Sequence, residues 1–112
     1  PAPGREPWAV ACAKQMLADR LIEPPSLEEL AAAVNLSPFH FARVFRRATG
    51  LPPHAWLKQR RLEQARALLR TGCTAVSVAM QLGFADQSHL SRQFKQAYGV
   101  SPGEYRSAVA RN

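Results

Sequence analysis

Two stretches of this sequence carry the same pattern of hydrogen-bonding side chains. In each, a histidine is followed three residues later by an arginine and six residues later by another basic residue. These are His40, Arg43 and Arg46 in the first stretch, and His89, Arg92 and Lys95 in the second. The guanidinium of arginine is a planar fork of donors that can bind a guanine edge or a phosphate at two points. The pattern indicates binding to a polyanion. No nucleophile or carboxylate has the spacing that would make either histidine a catalytic base, so we expect no enzyme.

The two stretches belong to a longer internal repeat. Residues 40–53 and 89–102 share His, an apolar residue, Arg, Phe, a basic residue, Ala, Gly, an apolar residue and Pro at matching positions. A repeat of this kind indicates a structural unit that occurs twice. A helical repeat that only builds a core would explain the Phe and Leu residues, but not the basic residues on the same segments.

A short alanine-containing segment and a tight turn precede each copy, which is the arrangement of a helix-turn-helix. Ala31 and Ala79 are small enough to let two helices approach, and Asn35 and Gly83 suit the left-handed position of the turn. The second turn is one residue longer. We expect it to be looser, with the same face of the following helix still presented.

Capping and stop residues predict an all-α fold of seven helices, because no run of alternating residues indicates a strand. The predicted helices are Pro7 to Ile22, the Ser26 cap to Val34, the Ser37 cap to Thr49, Pro52-Pro53 to Arg70, the Thr74 cap to Leu82, the Asp86 cap to Gly99, and a short helix from Ser101. These helices are expected to form two helix-turn-helix subdomains joined by a long central helix. We expect a linker or chain end at 1–6 and the binding domain at 7–112, with a first unit at 7–50, a linker helix at 51–71 and a second unit at 72–112.

Apolar residues at helical spacing predict which side chains are buried. Val10, Ala13, Leu17 and Leu21 form a stripe on the first helix. The expected core of the two repeated units is Phe41, Phe45, Leu90 and Phe94. Trp8, Trp56 and Tyr105 are interpreted as core or helix-packing residues, and Cys12 and Cys73 as small buried or half-buried hydrophobes.

The charge is strongly basic and unevenly distributed. Lys and Arg number 15 against 8 Asp and Glu. Residues 1–39 hold three basic and five acidic side chains, whereas residues 40–112 hold twelve basic and three acidic ones. A basic surface attracts polyanions, although charge alone does not separate DNA from RNA, from an anionic membrane, or from a solvated basic face. We expect no metal or cofactor and no membrane span, since there is no Cys/His cluster and no apolar run of about 20 residues.

The segment from Gly83 to Arg106, GFADQSHLSRQFKQAYGVSPGEYR, resembles the C-terminal signature of the AraC/XylS family of transcription regulators. The resemblance extends from about Ser26 to Arg106. It implies a sequence-specific DNA-binding domain whose two recognition helices enter successive major grooves on one face of double-stranded DNA. It also implies a bacterial, cytoplasmic protein that is nucleoid-associated when bound to DNA. An N-terminal sensor or dimerisation domain, absent from this chain, and contact with RNA polymerase as an additional role are further implications.

Positions near the start of each recognition helix are the candidate readers of bases. The candidate base-reading residues are Phe39, Ala42, Arg43, Gln87, Ser88, His89 and Arg92. The candidate phosphate contacts are Ser37, His40, Arg46, Arg47 and Lys95. Phe39 could pack on a thymine methyl or be buried, and either histidine could instead bond to backbone or phosphate at the helix start.

The main alternative is a helical domain that binds RNA or nucleic acid without sequence preference. Such a protein would usually carry aromatic stacking platforms or a known RNA-binding module, and neither is present in the sequence. A protein-interaction domain with an incidental basic face is a further alternative. We therefore expect a DNA-binding transcription regulator.

Overall fold

The computed structural model describes residues 6–110. Over that range it contains seven helices and no strand, which confirms the predicted all-α class. The helices are α1 (Trp8–Asp19), α2 (Leu27–Ala33), α3 (Pro38–Thr49), α4 (Pro53–Arg70), α5 (Ala75–Gln81), α6 (Gln87–Tyr98) and α7 (Pro102–Ala110). Except for Glu6, the predicted linker at 1–6 lies outside the described residues.

Two units make up the chain, Pro1–Lys58 and Gln59–Asn112. The division falls within α4, inside the helix predicted as a linker. In the first unit α2 and α1 both pack against α3. Its buried core residues are Val10, Ala13, Leu17, Leu30, Ala31, Val34, Phe41, Phe45 and Leu57. The predicted stripe on α1 is confirmed for its first three members, and Leu21 is half-buried.

The first helix ends earlier than predicted, at Asp19 rather than Ile22. Pro24 has no N–H to bond the carbonyl of Arg20, and a residue before proline is disfavoured in the helical conformation. The chain therefore leaves the helix at Arg20, whose guanidinium donates to the carbonyl of Glu23 at 3.0 Å.

Trp8 was expected to be a core or helix-packing residue, and the expectation of a core position is wrong, because its side chain is 67% exposed. At 100° per residue Trp8 lies on the side of α1 opposite Val10, Ala13 and Leu17, so the stripe that buries those residues turns it outward. Trp56 is half-buried, as predicted, and lies edge-on to Phe45 with centroids 6.1 Å apart.

The second unit buries one face of α4 together with α5, α6 and α7. Its buried residues are Leu62, Ala65, Leu69, Val78, Ala79, Leu82, Phe84, Leu90, Phe94 and Pro102. Tyr105 is half-buried, as predicted. Its ring packs 5.8 Å from that of Phe94, and its hydroxyl accepts a hydrogen bond from Arg70 at 3.2 Å. These contacts tie α7 and the end of α4 to α6.

The two cysteines are half-buried, as the sequence indicates. Over residues 6–110, no group of three or more His, Cys, Asp or Glu side chains is arranged to hold a metal ion. Within the same range, none of the helices has the length and apolar character needed to cross a bilayer.

Capping boxes start α2 and α7, as the sequence predicts. The Ser26 hydroxyl accepts from the Glu29 N–H and the Glu29 carboxylate accepts from the Ser26 N–H, each at 3.1 Å. Ser101 and Glu104 pair in the same way at 3.1 and 3.2 Å. The hydrogen bond from the Ser26 backbone lowers the pKa of Glu29, and those from the Ser101 side chain and backbone lower the pKa of Glu104, because they stabilise the ionised carboxylates.

Because both pKa values are lowered by folding, the carboxylates stabilise the fold above their ordinary value of 4.5, and this contribution is lost as pH falls from there through the lower folded-state values. We expect the double variant Glu29→Gln/Glu104→Gln to keep its caps, since an amide oxygen also accepts, but to show a flatter dependence of unfolding free energy on pH. Urea denaturation between about pH 6 and about pH 3 measures the difference. Superimposable pH profiles for the two proteins would contradict the prediction.

Candidate nucleic-acid interface

The third helix has sharply defined ends. The Ser37 hydroxyl accepts from the His40 N–H at 3.1 Å, and Pro38 occupies the first helical position. At the other end Gly50 takes a left-handed conformation, φ 82°, and donates to the carbonyl of Arg46 at 2.7 Å. These ends confirm the predicted bounds, and they fix which residues face the core.

Two aromatic residues set the rotation of α3. Phe41 and Phe45 have no exposed surface. Arg43 lies midway between them in sequence, and a residue two positions along a helix lies about 200° around it. Arg43 therefore stands on the exposed side, directly opposite the buried pair. Phe39, His40, Arg46 and Arg47 are exposed on the same side.

The sixth helix repeats this arrangement. The Asp86 carboxylate caps it by accepting from the His89 N–H at 2.8 Å, and Gly99 ends it with φ 82°. Leu90 and Phe94 have no exposed surface, and Arg92 lies midway between them and is exposed. We call Phe41, Phe45, Leu90 and Phe94 the anchor residues, because they fix the face that each helix turns outward.

The exposed arginines carry charge that no carboxylate neutralises locally. Over residues 6–110, no salt bridge involves Arg43, Arg46, Arg47 or Arg92. Such unpaired guanidinium groups retain donors for an incoming anion. Lys95 is also exposed, and its charge contributes to the lowered pKa of Glu104 in the same unit.

Phe39 is 74% exposed, so the alternative that it is buried is wrong. Its ring packs against Arg43 one turn later, with the guanidinium carbon 5.8 Å from the ring centroid. A cation over an aromatic face at this distance is weakly attracted to it. The contact limits the positions that the Arg43 fork can take.

A concave basic surface lies beside Arg43. It encloses about 580 Å³ and is lined by His40, Arg43, Val44, Arg47 and Ala48 of α3 and by Glu6 and Pro7, which precede α1. The Glu6 carboxylate is paired with Lys14 on α1. The wall formed by α3 therefore presents donors from His40, Arg43 and Arg47 to any anionic group in the concavity.

Ala42 was expected among the exposed positions of α3, and the structure corrects this: it is half-buried. It lies three residues before the anchor Phe45, and so on the edge of the core face. Together with Leu30, Pro53 and Leu57 it lines an apolar groove of about 340 Å³. Any base contact by Ala42 would have to be made from this edge.

The two turns close alike and then diverge. Asn35 and Gly83 have φ values of 58° and 80°, which confirms the predicted left-handed positions. In the first turn the Leu36 N–H donates to Ala31 at 3.0 Å, and in the second the equivalent bond, from Phe84 to Ala79, is 3.1 Å. Ser37 then caps α3 immediately, whereas one extra residue stands between Phe84 and the cap of α6.

The two equivalent histidines have different environments as a result. His40 is exposed. His89 is half-buried: its Nδ1 accepts from the N–H of Ala85, the extra residue, at 3.2 Å, and its Nε2 lies 2.8 Å from the Gln93 carboxamide. Its ring is also edge-on to Phe84, with centroids 5.6 Å apart. The predicted alternative of bonding to backbone is confirmed for His89.

The remaining candidates lie at the starts of the helices or on their outer faces. Gln87 and Ser88 are exposed in the first turn of α6. The Ser37 hydroxyl accepts as the cap of α3, which leaves its O–H as a donor. Sequence reasoning missed Gln96, which is exposed four residues after Arg92. The repeat itself contained the signal, because Gln96 occupies the position of Arg47.

Comparison with known proteins agrees with this arrangement. A family model, the helix-turn-helix domain, matches residues 30–108. The regulatory protein PocR of Salmonella typhimurium is 36% identical over 87 residues, which cover 77% of this chain and 29% of PocR. The transcriptional activator NphR of a Rhodococcus species is 42% identical over 87 residues, covering 77% of this chain and 26% of NphR.

Among solved structures, the DNA-binding domain of the global transcriptional factor AdpA, in complex with a target DNA, superimposes with a TM-score of 0.82. It is 35% identical, and the match covers 93% of this chain and 96% of the AdpA chain. A transcriptional regulator from Chromobacterium violaceum, one of the AraC-type DNA-binding domain-containing proteins, superimposes with a TM-score of 0.83 at 26% identity, covering 91% of this chain and 92% of that chain. The chain belongs to the AraC/XylS family and is the DNA-binding domain type of that family's transcription regulators. It spans about a third or less of the length of the curated relatives it matches.

The division of α3 into an inner and an outer face predicts opposite effects at two neighbouring phenylalanines. Phe41→Ala should lower the free energy of unfolding by about 3–5 kcal/mol, because it removes a fully buried ring and leaves a cavity. Phe39→Ala should change it by no more than about 0.5 kcal/mol, because that ring is mostly in water. Urea denaturation of both variants measures this. Comparable losses at the two positions would contradict the assignment of faces.

Proposed function

We propose that this domain binds duplex DNA at specific sequences by inserting α3 and α6 into major grooves. The observation that carries the proposal is the outward position of Arg43 and Arg92, each opposite the anchor residues of a firmly capped helix. The major groove of B-DNA is about 12 Å wide and admits an α-helix. The similar AdpA domain, solved in complex with a target DNA, supports DNA binding by a domain of this fold.

In the first unit, Arg43 is the proposed reader of bases. Its fork matches the O6 and N7 acceptors of guanine, and the neighbouring ring of Phe39 limits its movement before binding. Phe39 then presents its own exposed edge to a thymine methyl. Arg46 and Arg47, with His40 and the Ser37 hydroxyl, contact phosphates and hold the helix in the groove.

In the second unit, Arg92 takes the role of Arg43, while Gln87 and Ser88 lie where they can reach base edges from the first turn. Lys95 contacts phosphate, and Gln96 is a neutral counterpart of Arg47. The outer face of α6 therefore carries fewer cations than that of α3. Because phosphate contacts supply affinity and base contacts supply specificity, we propose that the first unit contributes more of the electrostatic affinity.

The whole regulator is proposed to contain more than this domain, since its curated relatives are about three times as long. We propose an N-terminal sensor or dimerisation domain, contact with RNA polymerase as an additional role, and a bacterial cytoplasmic location. The domain itself is proposed to act by binding rather than by catalysis.

Single arginine substitutions should separate base reading from phosphate contact. Arg43→Ala and Arg92→Ala should each weaken specific binding by about 1–3 kcal/mol and relax base preference in one segment of the site. We expect the two segments to be about 10 base pairs apart, the spacing of neighbouring major grooves on one face of DNA. Selection of bound oligonucleotides from a random pool, followed by affinity measurements, gives both quantities.

Arg46→Ala is the matched control, because Arg46 lies one turn beyond the proposed reader on the same helix. It should weaken binding to all sequences nearly alike and lower the salt slope by about one. If Arg43→Ala and Arg92→Ala reduce affinity without changing base preference anywhere, these arginines only contact phosphates and the assignment of readers is wrong.

The competing RNA-binding function makes a different prediction about the duplex. The major groove of A-form RNA is deep and narrow, so α3 and α6 could not enter it. We expect duplex DNA carrying the selected site to bind at least about tenfold more tightly than duplex RNA of the same sequence at matched salt concentration. Equal affinity for the two duplexes would indicate general binding to nucleic acid through the basic surface.

A further inference from the structure

The second helix-turn-helix has a residue that its first counterpart lacks. Ala85 stands between Phe84, whose N–H closes the turn onto Ala79, and the cap residue Asp86. An inserted residue brings an additional backbone N–H that the shorter turn does not have. In this structure that N–H donates to Nδ1 of His89 at 3.2 Å.

We infer that His89 is a positioning residue: it holds the longer turn closed and thereby sets where α6 presents Arg92. The inference rests on the proposed function, because its consequence is a change in which bases the second unit reads. It assigns His89 a role that His40, at the same position of the repeat, does not have. It also replaces the expectation that His89 reads bases directly.

His89 is bound to the turn at two points. Its backbone N–H donates to the Asp86 carboxylate at 2.8 Å, and its side chain accepts from Ala85. The two residues before helix α6 are thus fastened to one residue in its first turn. Gln87 and Ser88 lie between Asp86 and His89, and Arg92 follows His89 by three residues. The position of the first turn of α6 therefore depends on these two hydrogen bonds.

The ring of His89 has no nitrogen left for a base. Because Nδ1 accepts, the neutral ring carries its proton on Nε2, which lies 2.8 Å from the end of the Gln93 side chain. This N–H is satisfied when the carboxamide turns its oxygen, rather than its nitrogen, toward the ring. The edge of the ring packs on Phe84, the apolar residue that locks the turn. His40 is exposed on α3, and its turn contains no extra N–H to satisfy.

Loss of the His89 acceptor should change base recognition more than it changes the stability of the protein. Ala85 is exposed, so water can bond its N–H when the histidine acceptor is removed. The loss therefore costs little in unfolding free energy but leaves the turn with more conformations. The buried anchors still fix the rotation of α6, so what varies is the position of its first turn, from which Gln87 and Ser88 reach out beside Arg92. Base preference in the segment read by the second unit therefore broadens.

Three variants test the inference. His89→Asn keeps an acceptor where Nδ1 stands, because the Asn side-chain oxygen branches from the same carbon position. His89→Leu has the same branching without an acceptor. His40→Leu is the matched control in the first unit. Hydrogen exchange of the Ala85 amide in the free protein, and base preference from oligonucleotide selection, are measured for each, and Arg92→Ala identifies the segment that the second unit reads.

We expect the Ala85 amide to exchange about tenfold faster in His89→Leu than in the wild type, as for the loss of an ordinary hydrogen bond, and to stay slow in His89→Asn. Discrimination between bases in the Arg92 segment should fall about three- to tenfold in His89→Leu and persist in His89→Asn. His40→Leu should weaken binding to all sequences alike and leave base preference in both segments unchanged.

Several results would overturn the inference. The first is slow exchange of the Ala85 amide in His89→Leu, and the second is unchanged base discrimination in that variant. The third is loss of base discrimination in His89→Asn while the Ala85 amide still exchanges slowly, which would make the ring itself a base reader. If His89→Leu does not fold, the His89→Asn variant and the wild-type exchange rate still decide. Failure of the proposed function is a separate outcome: the wild type would select no preferred DNA sequence, while the exchange experiment would still report on the hydrogen bond.

Discussion

Burial of two side chains on each proposed recognition helix is the constraint that decides which face of that helix is exposed. Phe41 and Phe45 lie one turn apart on α3 and are fully enclosed, and Leu90 and Phe94 do the same on α6. Exposing any one of these side chains would cost a few kcal/mol, so each helix has one favoured rotation about its axis. The arginine between each pair is then turned outward without needing any contact of its own. If either helix slipped by one residue relative to the core, its arginine would rotate by about 100° and point along the protein surface.

Most helix ends, although not the end of α1 at Asp19, could be predicted from sequence because their signals are local. Ser37 with Pro38, Asp86, and the Ser26–Glu29 box each satisfy backbone groups within three residues, and the structure contains all of these caps. Whether a helix face is buried depends on which other element packs against it, and the sequence predicts this less well. Trp8 has a large apolar side chain, as core residues often do, but it lies on the side of α1 that no neighbouring helix in its unit covers. The partial burial of Ala42 was not predicted for the converse reason: its position next to the anchor residues is partly covered.

The histidines show a second limit of sequence reasoning. Alignment of the repeat makes His40 and His89 equivalent, and their backbone N–H groups do behave alike, each bonding the cap residue of its helix. Their side chains differ because an insertion four residues before His89 supplies a donor that has no counterpart before His40. The longer turn was visible in the sequence, but the acceptor that completes it was not, because that requires the geometry of the turn. Gln96 was overlooked because its polar amide carries no charge, although the repeat pairs it with Arg47.

The glycine stops at Gly50 and Gly99 have a consequence for how much sequence the domain can distinguish. Both recognition helices have twelve residues. A helix of that length extends roughly 18 Å, which corresponds to about five base pairs at about 3.4 Å each. Five pairs hold at most about 10 bits of information, enough to single out one position in about a thousand, whereas a genome offers on the order of 10⁶ or more competing positions. Two such helices together reach at most about 20 bits, which is the order needed to specify a unique site in the smallest of these genomes. On the proposed mode of binding, duplication of the unit, rather than lengthening of either helix, brings the length of DNA contacted to the size that a unique site needs.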